Sequence, residues 1–423
     1  MPSLAPTGFE QLRPADAGAR VALSYPDFRR YQLARLLVVV AMEMQSVAVG
    51  WQVYEMTRQP LALGLVGLAQ FLPGIILFLV SGHAADRFDR RKVLMICYAS
   101  FAACSACLLV VTASRLQSVS PIYVILVFAG VVRSFAGPAS RAILPQLVPA
   151  EHFPNAVAWT ATVFQAATLL GPAAGGLIYA AFGGPTAVYA CAIAGAAVAS
   201  AMTLRMRPHP RTASSEEFSA QTVFAGLRYI FRQKLILGSI SLDLFAVLFG
   251  GAVALLPVYA REILHTGPWG LGLLRSAPAI GALSMAVVLA HWPLRERVGI
   301  TLLWCVAGFG VFTVVFGISR SLVFSMLALL LVGACDMVSI IIRNTLVLVT
   351  TPDRMRGRVN AVEMIFIGAS NELGEFESGV AAQWLGSVPA VILGGIGAIV
   401  VTALWAYAFP ELRNADRITP RQD

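Results

Sequence analysis

Charged residues are scarce in this sequence of 423 residues: Asp, Glu, Lys and Arg together make up 13%, whereas hydrophobic residues make up 58%. Soluble domains carry about 25% charged and roughly 45–50% apolar residues, so this chain has more apolar surface than a water-facing globule can bury. A soluble enzyme and an intrinsically disordered chain are therefore both excluded. The composition predicts a protein whose main solvent is lipid.

The small number of cysteines and the lack of a nucleotide-binding motif limit the reactions that this chain can carry out. Six cysteines are too few for a disulfide scaffold, and Cys104 and Cys107 lie within an apolar run without metal-ligating neighbours, so we expect them to pack as small apolar side chains. No Gly-x-x-x-x-Gly-Lys-Ser/Thr string occurs, which excludes a Walker-type ATP site in this chain. We therefore predict a protein that is not an enzyme, has no metal or other cofactor, and takes its energy from an ion gradient or from a partner protein.

The charge distribution argues against a nucleic-acid partner. The net charge is +9, but the arginines lie between apolar runs rather than on one amphipathic face. The first thirty residues lack the apolar core of a cleavable signal peptide, so we expect the first apolar run to remain in the mature protein.

Twelve apolar runs are long enough to cross the hydrocarbon layer, which takes about 20 residues in a helix. We number them as spans 1 to 12, at 32–54, 61–82, 93–113, 121–142, 155–183, 185–204, 235–260, 268–291, 299–319, 321–345, 360–386 and 388–409. We therefore predict an all-α integral membrane protein with two six-helix bundles. The predicted divisions are an N-terminal tail 1–31, a bundle 32–204, a linker 205–234, a bundle 235–409 and a C-terminal tail 410–423.

An internal repeat supports this division. A shift of 203 positions places Gly171 on Gly374 and Gly176 on Gly379, at corresponding points of spans 5 and 11. Internal duplication of this kind is typical of transporters built from two pseudo-symmetric halves.

The turn after span 2 carries a short charged motif, Gly82, Ala85, Asp86, Arg87, Arg90, Arg91 and Leu94. It resembles the Gly-x-x-x-Asp-Arg-x-Gly-Arg-Arg signature of the Major Facilitator Superfamily, with Asp89 where the signature has glycine. The resemblance implies a conformational switch. We expect Asp86 to bind the positive N-terminal end of span 11, near Asn360, in the outward-open state. A simple topological anchor is the alternative, but it would explain the arginines and not Asp86.

Span 5 carries Gly171-Pro172-Ala173-Ala174-Gly175-Gly176, which resembles a helix-packing motif of the antiporter branches of that superfamily. With the strings at 133–142, 274–279, 356–360 and 370–379, the sequence resembles the enterobactin-exporter and drug–proton antiporter branch. The resemblance implies a monomeric bacterial inner-membrane protein that exports a siderophore or drug-like amphiphile by proton antiport and alternating access. A lipid or lysophospholipid flippase on the same fold is the alternative, and a non-transporting sensor is a third hypothesis.

Four charged residues fall within spans 1, 4, 7 and 10, the helices that the resemblance implies line a central cavity: Glu43, Arg133, Asp243 and Asp336. Charges at bilayer depth cost a few kcal/mol each and so mark pathways or paired networks. We predict that these residues form the substrate and proton pathway. A purely structural Glu43–Arg133 ion pair and a solvated Asp243 are the alternatives.

Span 11 is unusually acidic. Glu363, Ser370 and Glu377 recur every seven residues and share one face, whereas Glu372 and Glu375 point elsewhere. Glu375 takes the place of Pro172 in the repeat, so we predict that it lies between the halves as a protonatable gate. Arg275, near the outer end of span 8, is a further candidate that could extend to water.

The distribution of Lys and Arg predicts the orientation of the chain. They concentrate near 13–30, 87–92, 205–234, 295–297, 354–358 and 413–421, whereas the opposite loops hold only Arg58, Arg115, Arg261 and Arg320. Positive residues are retained in the cytoplasm, so both termini and the linker should be cytoplasmic.

Single-cysteine labelling of intact cells, in a variant without native cysteines, tests this topology. A reagent that cannot cross the membrane should modify cysteines placed at Gln117 and Thr266 but not one placed at Ser215, because only the first two positions face outside. Modification at Ser215 in intact cells would overturn the orientation.

Overall fold

The structure, a computed structural model, describes residues 20–207, 220–292, 294 and 296–415, apart from the side chains of residues 78, 79, 85, 86, 220–223, 353 and 354. Most of the N-terminal tail, the middle of the linker with Ser215, and the end of the C-terminal tail lie outside this range.

Twelve helical spans make up most of the described chain, in agreement with the sequence. Ten are long and apolar enough to cross a membrane. Nine of these are single helices, Pro26–Thr57, Arg90–Ala113, Ser120–Leu147, Phe153–Phe182, Thr186–Leu204, Gly267–His291, Val298–Ile318, Leu322–Thr350 and Ser387–Ala408. Span 7 is the tenth and runs over Lys234–Ile263.

Spans 2 and 7 are interrupted. Span 2 consists of Pro60–Ile76 and Phe78–Arg87, joined at Leu77. Pro73 has no backbone N–H to donate to the carbonyl of Ala69, which weakens the helix just before the break. Span 7 leaves the α-helix after Phe249 and continues through short 3₁₀ and π turns to Ile263.

Span 11, Asp353–Leu385, begins seven residues before the predicted start at 360. The predicted start was too late because Arg354, Arg356 and Arg358 lie in the first two turns of the helix, and these charges were interpreted as part of a cytoplasmic loop. Asn360 therefore lies well inside the helix rather than at its N-terminal end.

Glycine contacts show that the two halves pack alike. A Cβ atom on Gly171 would collide with the side chain of Glu43 in span 1, and one on Gly374 would lie 2.9 Å from the carbonyl oxygen of Leu248 in span 7. These two glycines are repeat-related, and so are the spans that they contact.

The second pair of repeat-related glycines, Gly176 and Gly379, lies where the two halves meet. Gly176 of span 5 packs on Gly272 of span 8, and Gly379 of span 11 packs on Gly64 of span 2. Because glycine has no side chain, the helix backbones approach closely at both crossings. The inner segment of span 2, Phe78–Arg87, packs on span 4 instead. The halves thus meet at the end that carries turns 58–59 and 264–266, called here the outer end in accordance with the predicted topology.

The linker is more ordered than its polar sequence suggests. The stretch 205–234 was expected to be a loop, but Ala220–Arg232 forms a helix, called here the connecting helix. Ile230 is fully buried, and the Tyr229 hydroxyl donates to the carbonyl oxygen of Thr350 at 3.2 Å. The buried side chains of an amphipathic helix dock it against the inner ends of spans 10 and 11.

Gly176→Ala should destabilise the protein, because its Cβ would lie 2.9 Å from the Cα of Gly272 and the crossing would have to open. We expect a loss of about 1–3 kcal/mol, as for other overpacked cores, seen as a lower midpoint of thermal unfolding in detergent. Gly368→Ala is the matched control, since a Cβ there meets nothing within 4 Å. Equal midpoints for the two variants would contradict the close packing.

Candidate functional site

Ion pairs between the halves close the outer end. Arg58 Nη1 lies 2.9 Å from Glu262 Oε1, and Arg261 Nη1 lies 3.1 Å from Glu55 Oε1. We call these four residues the outer gate. Arg58 and Arg261 are separated by the repeat shift of 203, and each binds an acid of the opposite half.

Aromatic side chains support the outer gate. The Tyr179 hydroxyl donates to Glu55 Oε2 at 3.2 Å, and the guanidinium of Arg261 lies 5.4 Å from the ring centroid of Trp51. Exposed ion pairs contribute only about 0–1 kcal/mol each, so the gate is closed by weak contacts that can separate. The sequence treated Arg58 and Arg261 as loop charges; their repeat relation was the available signal for the gate.

A second group of charges lies deeper between the halves. It contains Glu43 of span 1, Arg133 of span 4, Arg275 of span 8, and Glu372 and Glu375 of span 11, and we call it the central cluster. Arg133 Nη1 lies 3.0 Å from Glu372 Oε1. Glu375 Oε2 lies 2.7 Å from the position that a Cβ of Gly67 would take, so Glu375 occupies the crossing of spans 2 and 11.

Two alternatives for this cluster can be compared with the structure. Among the described residues no ion pair joins Glu43 and Arg133, because Arg133 reaches Glu372 of the other half instead. Arg275 is partly exposed, and its Nη1 lies 3.9 Å from the position that a Cβ of Gly50 in span 1 would take. The side chain of Arg133 lies at mid-span and is 55% exposed, although it contacts the opposite half.

A third group is sealed inside the C-terminal half. Arg343 of span 10 binds Asp243 of span 7 and, through Nε at 3.1 Å, Glu363 of span 11. We call these three residues the buried triad, since each is less than a tenth exposed. Asp243 is therefore not solvated, contrary to the alternative reading of the sequence.

The sequence analysis missed Arg343. It lies within the predicted span 321–345 but close to its inner end, where an arginine resembles a topological anchor. Its position seven residues after Asp336 was the available signal, since that spacing places both on one face of the helix. Asp336 is partly buried and interacts electrostatically with Asp243 and Arg343.

The residues of the charged motif after span 2 differ in their environments. Asp89, which departs from the superfamily signature, caps span 3 by accepting from the backbone N–H of Arg91 at 3.0 Å. Arg90 is buried and Arg87 is exposed. Gly82 is partly buried, while the side chain of Asp86 lies outside the described part of the chain.

The other two residues on the seven-residue face of span 11 also have identifiable contacts. The hydroxyl of Ser370 is buried and donates to the carbonyl oxygen of Ile367 at 3.0 Å. Glu377 is partly buried beside Ser378. Within the described ranges, no group of three His, Cys, Asp or Glu residues is placed to hold a metal ion.

Comparison with known proteins agrees with this architecture. Residues 18–422 match the family model of the transmembrane secretion effectors. The enterobactin exporter EntS of Shigella boydii serotype 4 is 26% identical over 405 residues, which cover 94% of this chain and 95% of the relative. EntS of Escherichia coli K12 is similar to the same extent.

Solved structures share the fold. A bacterial homologue of the human lysosomal transporter Spinster, in an inward-facing and occupied conformation, aligns with a TM-score of 0.70 at 14% identity, covering 94% of this chain and 99% of that one. A D-xylose–proton symporter aligns with a TM-score of 0.69 at 16% identity, covering 93% and 99%.

Arg343→Met should strongly destabilise the protein, because Asp243 and Glu363 would remain buried without a counter-charge. We expect a loss of about 3–5 kcal/mol, seen as a large fall in the midpoint of thermal unfolding in detergent. Lys234→Gln, which breaks the exposed ion pair with Glu411, is the control and should cost less than about 1 kcal/mol. Replacing all three residues of the triad by apolar ones should restore most of the stability; similar midpoints for Arg343→Met and Lys234→Gln would refute the role of the triad.

Proposed function

The chain belongs to the transmembrane secretion effector family of Major Facilitator transporters, and from this membership we propose that it exports a siderophore or drug-like amphiphile in exchange for protons. We further propose that it does so as a monomer in a bacterial inner membrane, with both termini in the cytoplasm. The proposal makes it a transporter rather than an enzyme, with the proton gradient in place of a cofactor.

One observation carries this proposal: the Arg133–Glu372 pair joins the two halves at mid-span while Arg133 remains open to water. A charge at the centre of a membrane helix costs about 2.5–3.5 kcal/mol on insertion scales. A scaffold or sensor would gain nothing from that cost. A transporter gains a binding group that a substrate can reach from one side.

The contacts at the outer end support alternating access. The outer gate and the crossings of spans 2 with 11 and 5 with 8 close that end, which supports an inward-facing conformation. Outward opening requires these contacts to separate and the inner ends to meet. We propose that Asp86 then binds the N-terminal end of span 11 and holds the inner side closed.

Exchange requires that substrate and proton exclude one another. In our scheme Arg133 binds anionic oxygens of the substrate and releases Glu372, since a planar guanidinium binds carboxylate or catecholate oxygens through two hydrogen bonds. Glu43 and Asp336 accept hydrogen bonds from substrate hydroxyl groups while they are ionised. Protons that enter from outside remove these acceptors and release the substrate, and Glu375 offers a third protonatable group.

Transport by proteoliposomes tests the proposal with a panel of siderophores, dyes and lysolipids under an imposed pH gradient. Proton antiport predicts accumulation that stops when the gradient is collapsed. Movement of lysolipid between leaflets without dependence on the gradient would favour a flippase instead.

Glu43→Gln and Asp336→Asn should each abolish gradient-driven transport of the compound that the panel identifies, yet leave its binding measurable, because the amide keeps the shape and removes the titratable group. Arg133→Ala should weaken binding itself by about tenfold or more, the value of a charge-assisted hydrogen bond. Glu411→Gln, at an exposed position outside the cavity, is the control. Both acid variants accumulating the compound with unchanged pH dependence would place the coupling site elsewhere.

A further inference from the structure

Two arginines in the inner part of the N-terminal half have no acidic partner. Arg35 lies in span 1 and Arg141 in span 4, and neither has a carboxylate within 4 Å among the residues that the structure describes. Neither belongs to the central cluster or to the buried triad. Two positive charges inside a membrane protein without a counter-ion require an explanation.

Hydrogen bonds link Arg35 to the segment that carries Arg141. Arg35 Nη1 donates to the hydroxyl oxygen of Tyr31 at 3.4 Å, and the same hydroxyl lies 2.6 Å from Ser140 Oγ. Tyr31 also donates to the backbone carbonyl of Ser140 at 2.8 Å, next to Arg141 in the sequence. The two guanidinium groups interact electrostatically, so an anion bound near both would relieve their repulsion.

Arg141 faces the space between the halves. Its guanidinium contacts the sulfur of Met364 in span 11, and its side chain is exposed. A residue that touches the opposite half and is still exposed lines the inner cavity rather than the lipid face.

An aromatic side chain completes this wall. The guanidinium carbon of Arg35 lies 5.7 Å from the ring centroid of Phe164 in span 5, and Phe164 is 42% exposed. Phe164 therefore offers apolar surface for a second ring next to the positive charges.

Arg35 and Arg141 lie further into their helices than the arginines at the start of span 1. Arg29 and Arg30 lie within the first turns of span 1, where Arg30 pairs with Asp27. Arg35 lies nine residues into that helix, about 13 Å from its start, and Arg141 lies six residues, about 9 Å, before the end of span 4. Both are therefore close to the inner ends of the predicted spans 32–54 and 121–142, where Tyr31 links Arg35 to the segment that carries Arg141.

We propose that Arg35, Arg141 and Phe164 form an inner subsite that binds the anionic oxygens of an aromatic amphiphile on its way to Arg133. The inference rests on the proposed function and specifies its substrate class as aromatic anions. Arg141 and Arg133 are eight residues apart on span 4, about 12 Å along the helix. A substrate with several anionic rings can therefore contact both sites at once.

The chemistry selects against other ligands. Cations are repelled by two guanidinium groups, and a neutral lipid offers no negative charge to pair with them. Guanidinium groups bind carboxylate or catecholate oxygens in the plane and stack on aromatic rings. An anion carried on a ring satisfies both preferences.

Calorimetric titration of the full-length protein in lipid nanodiscs tests the subsite with three naphthalene probes. The probes are 1-naphthoate, the neutral 1-naphthamide and the cationic 1-naphthylmethylammonium, with empty nanodiscs as the blank. Naphthoate should bind at least about tenfold more tightly than naphthamide, the value of one charge-assisted hydrogen bond. Absence of saturable naphthoate binding, or equal affinity for the three probes, would overturn the subsite.

Substitutions test whether Arg35 and Arg141 cause the preference for naphthoate. Arg35→Gln and Arg141→Gln should each reduce naphthoate affinity about tenfold and leave naphthamide binding unchanged, since only the charge is removed. Arg35→Lys keeps the charge and should retain most of the preference, which separates binding from a folding defect. Arg29→Gln removes an exposed arginine of the same helix and should bind as the unmodified protein does.

The subsite and the proposed function can fail separately. If the Arg35 and Arg141 variants keep the preference for naphthoate, or if Arg29→Gln loses as much of it, the subsite is refuted even where gradient-driven transport is observed. If the preference depends on Arg35 and Arg141 but no compound is transported under a pH gradient, the subsite stands and proton-driven export is refuted.

Discussion

The free-energy cost of placing a charged side chain in hydrocarbon is the constraint on which the rest of this structure depends. An ionised side chain within a span can be paired inside the protein or exposed to water, because lipid offers neither solution. The buried triad uses the first solution, whereas Arg133 of the central cluster is 55% exposed and binds Glu372 of the other half. Arg133 therefore has a partner that another anion can replace.

Close helix packing sets which contacts can change. Gly171 and Gly374 fix helices within each half, whereas Gly176 and Gly379 lie where the halves cross. Lipid tails are as apolar as the side chains they replace, so these crossings depend on van der Waals packing of bare backbone rather than on a hydrophobic driving force. A crossing of that kind, together with exposed ion pairs at the outer gate, exposes less apolar surface when it separates than a crossing of large apolar side chains would.

The sequence predicted the fold because hydropathy and the placement of Lys and Arg depend on the bilayer, which acts on each span separately. It failed where a charge belongs to the protein interior: Arg343 near the inner end of span 10 and the first turns of span 11 both looked like cytoplasmic charges. The outer gate was missed for a different reason. Pairing of Arg58 with Glu262 depends on how two distant helix ends meet, and only the repeat relation of Arg58 to Arg261 pointed to it.

The repeat also explains how the two halves can carry groups of opposite charge at corresponding positions. Position 133 in the first half corresponds to position 336 in the second, and the duplicated site carries Arg133 on one side and Asp336 on the other. The repeat-related positions thus offer an anion-binding group in one half and a protonatable group in the other. In the proposed alternating-access cycle the two halves move relative to each other, so a ligand bound at either position affects the other position. Coupling in the proposed exchange therefore arises from the divergence of the duplicated positions, on a backbone that remained symmetric.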